Sequence, residues 1–513
     1  MSSQPHPHRW WALIALVLTS LAVGFDVTIL NLALPSMAED LHAGNAQLQW
    51  FVTVYTLVLA AGMIPAGMAG DRFGRKRTLL AALVIFGVSS LAAAYAPSTG
   101  VFIAARAALG LGAALIMPTM LALIPAMFTA QERPKAIGTL ASASMLAFPV
   151  GPLLGGWLLS HFWWGSVFLI NIPVVVLAFL AVAVWLPESP RERGRRIDAG
   201  GLVLSSAALT SLTYGLIEIG ERGWTDVAVL GPLIGGTAAL VLFVLWERRA
   251  GAPLVNLSLF ADARFTAGTA LATLVNFTMF GVLFALPQYF QANLGTDAMG
   301  SSLRLLPLIA GMLAGMSAAA RLSRTIGPKR AACLGFVLLT ASLFWGAATS
   351  TGSGTAFAAG WTALYGLGLG CVLPTVMDAA LGTLSPANAG VGAAVNQSIR
   401  TLGGSFGAAV LGSILTSAYR AAVPPEARES VFAGLAAART TGSAALAGTV
   451  RSAFVHGLDI VLVTSAGLGL LGVLVALAWL PGTPDRPRPA PSRHARQGHV
   501  PDRRRSPGST PRG

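Results

Sequence analysis

Long apolar runs fill most of the chain, and short polar or basic stretches separate them at fairly even spacing. A bilayer hydrocarbon core of about 30 Å needs roughly 20 apolar residues per helix. On that measure the pattern predicts fourteen spanning helices, at 11–35, 48–69, 78–96, 101–127, 136–160, 166–186, 199–218, 227–246, 266–290, 303–320, 331–350, 357–381, 393–418 and 455–480. The first run is too long for the apolar region of a signal peptide and lacks a small-residue cleavage site, so it is read as a span. The thirteenth is Gly-rich, contains Arg400 and follows a break near 390. The Ala-rich, mildly charged stretch 419–450 is expected to form an amphipathic or re-entrant piece at the outer surface.

Composition narrows the class. A length of 513 residues would suit two or three soluble domains. Only 11% of the residues are charged and 54% are hydrophobic, with a mean hydropathy of +0.69. A soluble domain carries about 25% charged residues, so this chain could not cover a water-facing surface. Disorder is excluded because it needs low hydrophobicity. The 58 Gly and 30 Pro fit spanning helices, where both are more frequent than in soluble ones. The expected fold is an all-α polytopic membrane protein.

A net charge of +14 would point to nucleic acid in a soluble protein. Here its distribution records orientation instead. With both termini in the cytoplasm, 26 of the 34 Lys and Arg fall on the inside, 6 outside, and Arg106 and Arg400 within spans. Basic residues favour the cytoplasmic side, which explains the charge without nucleic acid. The expected location is the bacterial cytoplasmic membrane. The segment 481–513 is Arg- and Pro-rich and is expected to be a disordered tail lying on anionic lipid. Cys333 and Cys371 sit in apolar runs and read as small hydrophobes. Four of the seven His (His6, His8, His494 and His499) lie in the tails, so no metal site is expected.

The chain repeats itself. Gly67-Met-Ala-Gly-Asp-Arg-Phe-Gly-Arg-Lys-Arg77 follows the second span, and Ala320-Arg-Leu-Ser-Arg-Thr-Ile-Gly-Pro-Lys-Arg330 follows the tenth. Gly74, Lys76 and Arg77 match Gly327, Lys329 and Arg330. Gly110 and Gly112 with Pro118-Thr119 match Gly366 and Gly368 with Pro374-Thr375 at a similar offset. The reading is a short N-terminus at 1–10, a six-helix half at 11–186, two inserted spans at 199–247 and a second six-helix half at 266–480. Parallel repeats of six spans are a carrier architecture.

Charges inside spans are expensive and mark function or a buried partner. Asp26 lies mid-way along the first span and Asp378 late in the twelfth. An acid at such depth can take up and release a proton and so couple proton movement to a conformational change. The bland alternative is an acid neutralised permanently by a neighbouring Arg or hydroxyl. Arg106, in the fourth span, needs a carboxylate or several carbonyls, and Asp26 is the natural candidate. It could equally be a helix-packing clamp. Arg400 carries the same ambiguity. Asp71, Arg72, Gly74, Arg75 and Lys76 form an expected tight cytoplasmic turn in which Gly74 permits a positive φ. In the fifth span, Pro149 and Pro152 bend the helix while Gly151, Gly155 and Gly156 allow close backbone contact. That makes it either a gating element or a kinked packing helix. Asn31, Trp50, Tyr55, Asn276, Gln288, Tyr289 and Asn396 are candidates to line a substrate cavity. Each alone is as well explained by packing. No nucleophile, base or metal grouping accompanies these residues, so an enzyme is not expected.

Together these motifs resemble the major facilitator superfamily, and more narrowly its fourteen-spanner drug:proton antiporters of the EmrB/QacA type. Gly67 to Lys76 is similar to the superfamily's cytoplasmic loop motif. Arg106 with Gly110 and Gly112 resembles the fourth-span motif tied to proton transfer, with Leu109 where the family usually has Gln. Gly151-Pro152 with Gly155-Gly156 resembles the fifth-span motif associated with export. Asp26 to Pro35, Trp163 to Pro173 and Gly390 to Gly404 also resemble family segments. The resemblance implies a proton-driven exporter of antibiotics or other amphipathic small molecules. It is expected to work as a monomer in the lipid bilayer without a cofactor. Some dication-exporting members carry an acid in the thirteenth span; this chain has Asn396 and Gln397 there, which argues against divalent cargo. The rival readings are a proton-coupled uptake carrier for a small metabolite and a non-transporting membrane sensor. The Gly-Pro and Gly-Gly pattern of the fifth span argues against the first, and the intramembrane Asp26 against the second. No GxxxxGK[ST] phosphate loop is present, so ATP drive is not expected.

Overall fold

The computed structural model describes residues 8–129, 132–188, 198–251, 255, 257–382 and 389–480. Its regular structure there is helical. In chain order the helices are α1 (Arg9–Asp40), α2 (Asn45–Phe73), α3 (Arg75–Ala94), α4 (Thr99–Met127), α5 (Arg133–His161), the short α6 (Ser166–Leu169) and α7 (Asn171–Trp185). Then come α8 (Ala199–Arg222), α9 (Val227–Glu247), α10 (Ala263–Ala292), α11 (Ala298–Ile326), α12 (Pro328–Gly346), α13 (Thr355–Leu381), α14 (Ala389–Ala422), the short α15 (Val431–Thr441) and α16 (Ala444–Trp479).

Twelve helices among the described residues are long and apolar enough to cross a membrane. They correspond to all the expected spans except the fifth and eleventh, where α5 and α12 lie. Several helices overrun the expected boundaries. α1 continues through Pro35 to Asp40, because that proline sits late in the helix and removes one amide without stopping it. The stretch 419–450 holds the end of α14, a single 3₁₀ turn at Pro425–Ala427, α15 and the start of α16. The tail at 481–513 lies outside the described residues, as does most of 1–8.

Side chains set many of the helix starts. Ser98, Asp198, Asp226, Asp262, Asp297, Ser430 and Ser443 each accept from an amide of the first turn they precede. Those amides have no partner within the helix, so a short polar side chain is favoured there. Exposed apolar residues face outward along the long helices, as at Val184, Val203, Ile234 and Leu474. A bilayer accepts such a surface and water does not.

Helices α1–α7 pack mainly among themselves, and so do α10–α16. The two groups meet along α2 with α14 and along α5 with α11. One face of the molecule carries the start of α1, the α2–α3 turn and the α11–α12 turn, with Arg9, Arg72, Arg75, Lys76, Arg77, Lys329 and Arg330; it is called the basic face below. The α1–α2 turn and α15 lie on the opposite face. α8 packs on both α2 and α14, while α9 packs chiefly on α8.

The repeated turn has one conformation in both places. Gly74 ends α2 with φ 97° and ψ 130°, and Gly327 ends α11 with φ 85° and ψ 157°. Residues with a Cβ avoid this region, so the glycines that repeat in sequence are required by backbone geometry.

Candidate functional site

Asp26 lies 17 residues from the start of α1 and 14 from its end, about 21–25 Å from either terminus at about 1.5 Å per residue. Arg106 comes from α4, and the two side chains meet in the interior. Arg106 Nη1 stands 2.5 Å from Asp26 Oδ2, and the residues are only 1% and 2% exposed. Arg106 Nε donates to the Phe51 carbonyl on α2 at 3.0 Å. Its guanidinium lies 4.4 Å from the centre of the Tyr55 ring. One cation is thus held by an anion, a carbonyl and an aromatic face, which is what a buried guanidinium requires. Asn171, at the start of α7, lies beside the carboxylate and donates to Ser90 at 3.2 Å. Asp26 Oδ1 has no hydrogen-bond partner among the described residues.

Glycines bring the surrounding helices this close. A Cβ on Gly110 would stand 2.5 Å from the Tyr55 carbonyl, so glycine lets α4 touch α2 one turn from Arg106. On α5, Gly151 and Gly155 face Thr28 and Ile29 of α1, just after Asp26. Thr28 donates to the Ala147 carbonyl at 3.3 Å across the same joint. Gly156 points the other way: a Cβ there would meet Ser302 and come within 2.9 Å of the Met299 backbone on α11. α5 therefore wedges between α1 and α11, with two glycines on one side and one on the other. It remains one helix from Arg133 to His161, and Pro152 is buried within it.

The basic turn does structural work beyond charge. Arg75 donates to the Ala122 carbonyl of α4 at 2.7 Å, and Lys76 to Ala183 near the end of α7 at 2.8 Å. Arg72 is exposed and Gly67 lies near Pro118 of α4. The side chain of Asp71 lies outside the described residues.

The remaining candidates do not converge on this pair. Asp378 is exposed near the end of α13 and makes no ion pair among the described residues. It does not join Asp26, because α13 belongs to the other helix group. Arg400 contacts Gln397 and, at 3.3 Å, Met377 Sδ. Asn276 and Gln288 donate to carbonyls one turn back in α10, and Asn396 donates to Thr269 at 2.8 Å, tying α14 to α10. Asn31 Oδ1 and the buried Tyr289 hydroxyl have no partner among the described residues. Trp50 packs against Tyr214 of α8 and lines a cavity of about 520 Å³ at the opposite face, away from the ion pair. Tyr55 alone of these candidates joins Asp26 and Arg106.

Sequence reasoning overlooked Asn171, although it lies in the quoted segment Trp163 to Pro173. It also overlooked Asp459, four residues inside the expected last span; its Oδ1 is buried without a partner among the described residues. Asp459 stands 20 residues, about 30 Å, from Trp479 at the other end of α16, a full bilayer thickness away. Contacts between the two helix groups were overlooked as well. Gln49 donates to Thr416, Ser405 to Thr56, Gln291 to the Leu32 carbonyl and Ser160 to Asp297. Gln49–Thr416, Gln291–Leu32 and Ser160–Asp297 lie toward the opposite face, and Ser405–Thr56 lies near mid-depth.

The chain is similar to known proteins along most of its length. The chain is 33% identical to the tetracenomycin C resistance and export protein of Streptomyces glaucescens, over 94% of this chain and 93% of that protein. It is 33% identical to the puromycin resistance protein pur8 of Streptomyces alboniger, over 93% and 92%. It is 31% identical to the multidrug efflux pump LfrA of Mycolicibacterium smegmatis, over 86% and 88%. The fold is like that of a bacterial homolog of the human lysosomal transporter Spinster in an inward-facing, unoccupied conformation. The TM-score is 0.68 at 16% identity, covering 95% of this chain and 100% of that one. A D-xylose-proton symporter shares it at TM-score 0.61 and 15% identity, covering 92% and 98%. The profile of the Major Facilitator Superfamily matches residues 16–408, which include the ion pair, the basic turn and the glycine-lined α5. By that match and by relatives that align along almost its full length, the chain belongs to the Major Facilitator Superfamily.

Proposed function

We propose that this protein exports amphipathic drug-like small molecules from the cytoplasm in exchange for protons, and that Asp26 carries the proton. The observation behind this reading is the Asp26–Arg106 pair. It is the one ion pair among the described residues in which both partners are almost wholly buried. It lies where α1, α2 and α4 meet, one turn from the α1–α5 joint. The relatives named for resistance and export supply the direction of transport and the class of cargo.

In this reading the chain has fourteen spans, with α5 and α12 among them. Two six-helix halves flank the inserted α8 and α9, and both termini lie in the cytoplasm of a bacterial cell. The basic face is then cytoplasmic. Three of the bonds between halves lie toward the outside, so this conformer is sealed there and receives cargo from within. A deprotonated Asp26 is neutralised by Arg106. Protonation releases the guanidinium to its remaining partners, the Phe51 carbonyl and the Tyr55 ring, and loosens α1 from α4. That change in one joint biases the rocking of the halves. Each proton entering down a potential of about 100 mV and one pH unit supplies roughly 2.3 plus 1.4 kcal/mol. Their sum sustains a cargo gradient of about 400-fold per proton for neutral cargo. The protein works as a monomer in lipid and needs no bound cofactor.

Accumulation in an efflux-deficient bacterial host tests the function. Expression should lower the steady-state content of tetracenomycin C, puromycin or ethidium, and a protonophore should restore it. A content that is unchanged for all three, or that rises on expression, would favour uptake and overturn the export reading.

A further inference from the structure

The first turn of α2 obtains its acceptors from distant segments. The Gly44 amide donates to Gln47 Oε1 of its own turn at 2.7 Å. The Asn45 amide donates to the Glu429 carbonyl at 3.2 Å, and the Ala46 amide to Glu221 Oε1 at 3.2 Å. A helix start has amides without internal partners and a partial positive charge, so an acceptor carboxylate is favoured there. Glu221 comes from the last turn of α8 and Glu429 from the segment before α15.

The other side of α8 is fastened to α14. The single hydroxyl hydrogen of Ser413 is shared between the Leu216 and Ile217 carbonyls, at 2.5 and 3.1 Å. Gly220 lies so close to α14 that a Cβ would stand 3.0 Å from the Ser413 backbone. Ile217 packs with Ala46 of α2 and Ala409 of α14 in one small buried cluster. α8 therefore straddles the seam where the two helix groups meet.

We propose that α8 is a strap across this seam and that Glu221 is its catch, a gating residue that favours the conformer closed on the opposite face. The inference rests on the alternating-access reading above. Rocking must part α2 from α14 at this face, and α8 cannot follow both. Its hold on α14 is the closer, with one hydroxyl hydrogen shared between two carbonyls and a glycine-mediated approach to the α14 backbone. Its hold on α2 is one carboxylate–amide bond, the Trp50–Tyr214 contact and the packing of Ile217 on Ala46. α8 therefore travels with α14, and the bond from Ala46 to Glu221 breaks at each outward turn. The cavity of about 520 Å³ bordered by Gln47, Trp50, Glu218 and Glu221 leaves space for the catch to disengage.

Spin-label distance measurements on the full-length protein, with Cys333 and Cys371 replaced by Ala, test this. Labels at Gly100 and Gly354 report on the two groups at the opposite face, where an added side chain meets open space. A label at the exposed Trp224 reports on α8. Gly156→Leu opens the face without drug or proton, because it crowds Ser302 and Met299. In Gly156→Leu the 100–354 and 100–224 distances should lengthen while 224–354 stays fixed. Glu221→Gln should raise the ratio of open to closed by about two- to fivefold, the effect of a carboxylate at a helix start. Glu221→Lys should raise it further. A lengthened 224–354 with a fixed 100–224 would overturn the strap, as would an unchanged ratio in both Glu221 variants. A single, invariant 100–354 distance in wild type and Gly156→Leu would instead contradict alternating access itself, and the strap with it.

Discussion

Removing one member of the Asp26–Arg106 pair should cost more than removing both. The two groups are in contact at 2.5 Å and closed off from water. Breaking a buried pair by deleting one partner costs about 3–5 kcal/mol, because the other charge stays in a low-dielectric site. In Asp26→Asn the guanidinium keeps the Phe51 carbonyl and the Tyr55 face, but both are already engaged in the wild type and add nothing new. The double variant Asp26→Asn/Arg106→Gln carries no charge and can keep a neutral hydrogen bond, so a large part of the cost returns. The singles also differ. A carboxylate left alone in Arg106→Gln can be neutralised by taking a proton, whereas a guanidinium cannot lose one near neutral pH. Lowering pH should therefore recover stability in Arg106→Gln and leave Asp26→Asn unimproved. Thermal unfolding of purified protein in detergent, followed by tryptophan fluorescence, would measure this. With an unfolding entropy of about 2 cal/mol/K per residue, a chain of this length shifts by only about 1 °C per kcal/mol. Each single should lose about 3–5 °C and the double less than either. A double whose loss is the sum of the singles would refute the energetic coupling, as would equal pH responses of the two singles.

Further outcomes follow from other parts of the fold. Gly155→Val should lower stability by about 1–3 kcal/mol through overpacking against Ile29, seen in the same unfolding assay. Gly74→Val or Gly327→Val should each cost about 1–3 kcal/mol, because φ there is 97° and 85°; Ala at the helical Gly448, where an added Cβ meets open space, should not. On the basic face, the hydrogen bond from Arg9 holds Glu132 below the ordinary carboxylate value of 4.5. A lowered folded value means the contribution is present above that pH and is lost as pH falls below it. Protease nicking near the start of α1 should thus be faster in Glu132→Gln than in wild type at pH 7, with the difference shrinking as pH falls below 4.5.

Twelve of the fourteen expected spans were legible because a bilayer demands uninterrupted apolar length, and few other folds tolerate it. The basic turn was legible because Gly74 and Gly327 recur at a backbone conformation that other residues avoid. Asp26 and Arg106 stood out because charge inside a span is costly, and their pairing was the economical solution. Their helpers were not legible for a physical reason. The Phe51 carbonyl leaves no trace in side-chain identity, and Asn171 sits at a helix start where a polar residue looks ordinary. Asn276, Gln288 and Asn396 looked like cavity groups, yet each can satisfy its amide on a neighbouring turn or helix. Trp50 proved to face α8 because the α2–α8 contact depends on packing between segments over 150 residues apart. Gln49 with Thr416 and Ser405 with Thr56 are separated by 367 and 349 positions, beyond any local pattern.

The most direct test uses everted membrane vesicles energised to an inside-acid pH gradient, with puromycin, ethidium and a neutral aromatic polyketide added in turn. Wild-type vesicles should lose part of the gradient on addition of a transported compound, and Asp26→Asn vesicles with equal protein content should hold it. Collapse that survives Asp26→Asn would contradict proton exchange at this residue and move the search to Asp378.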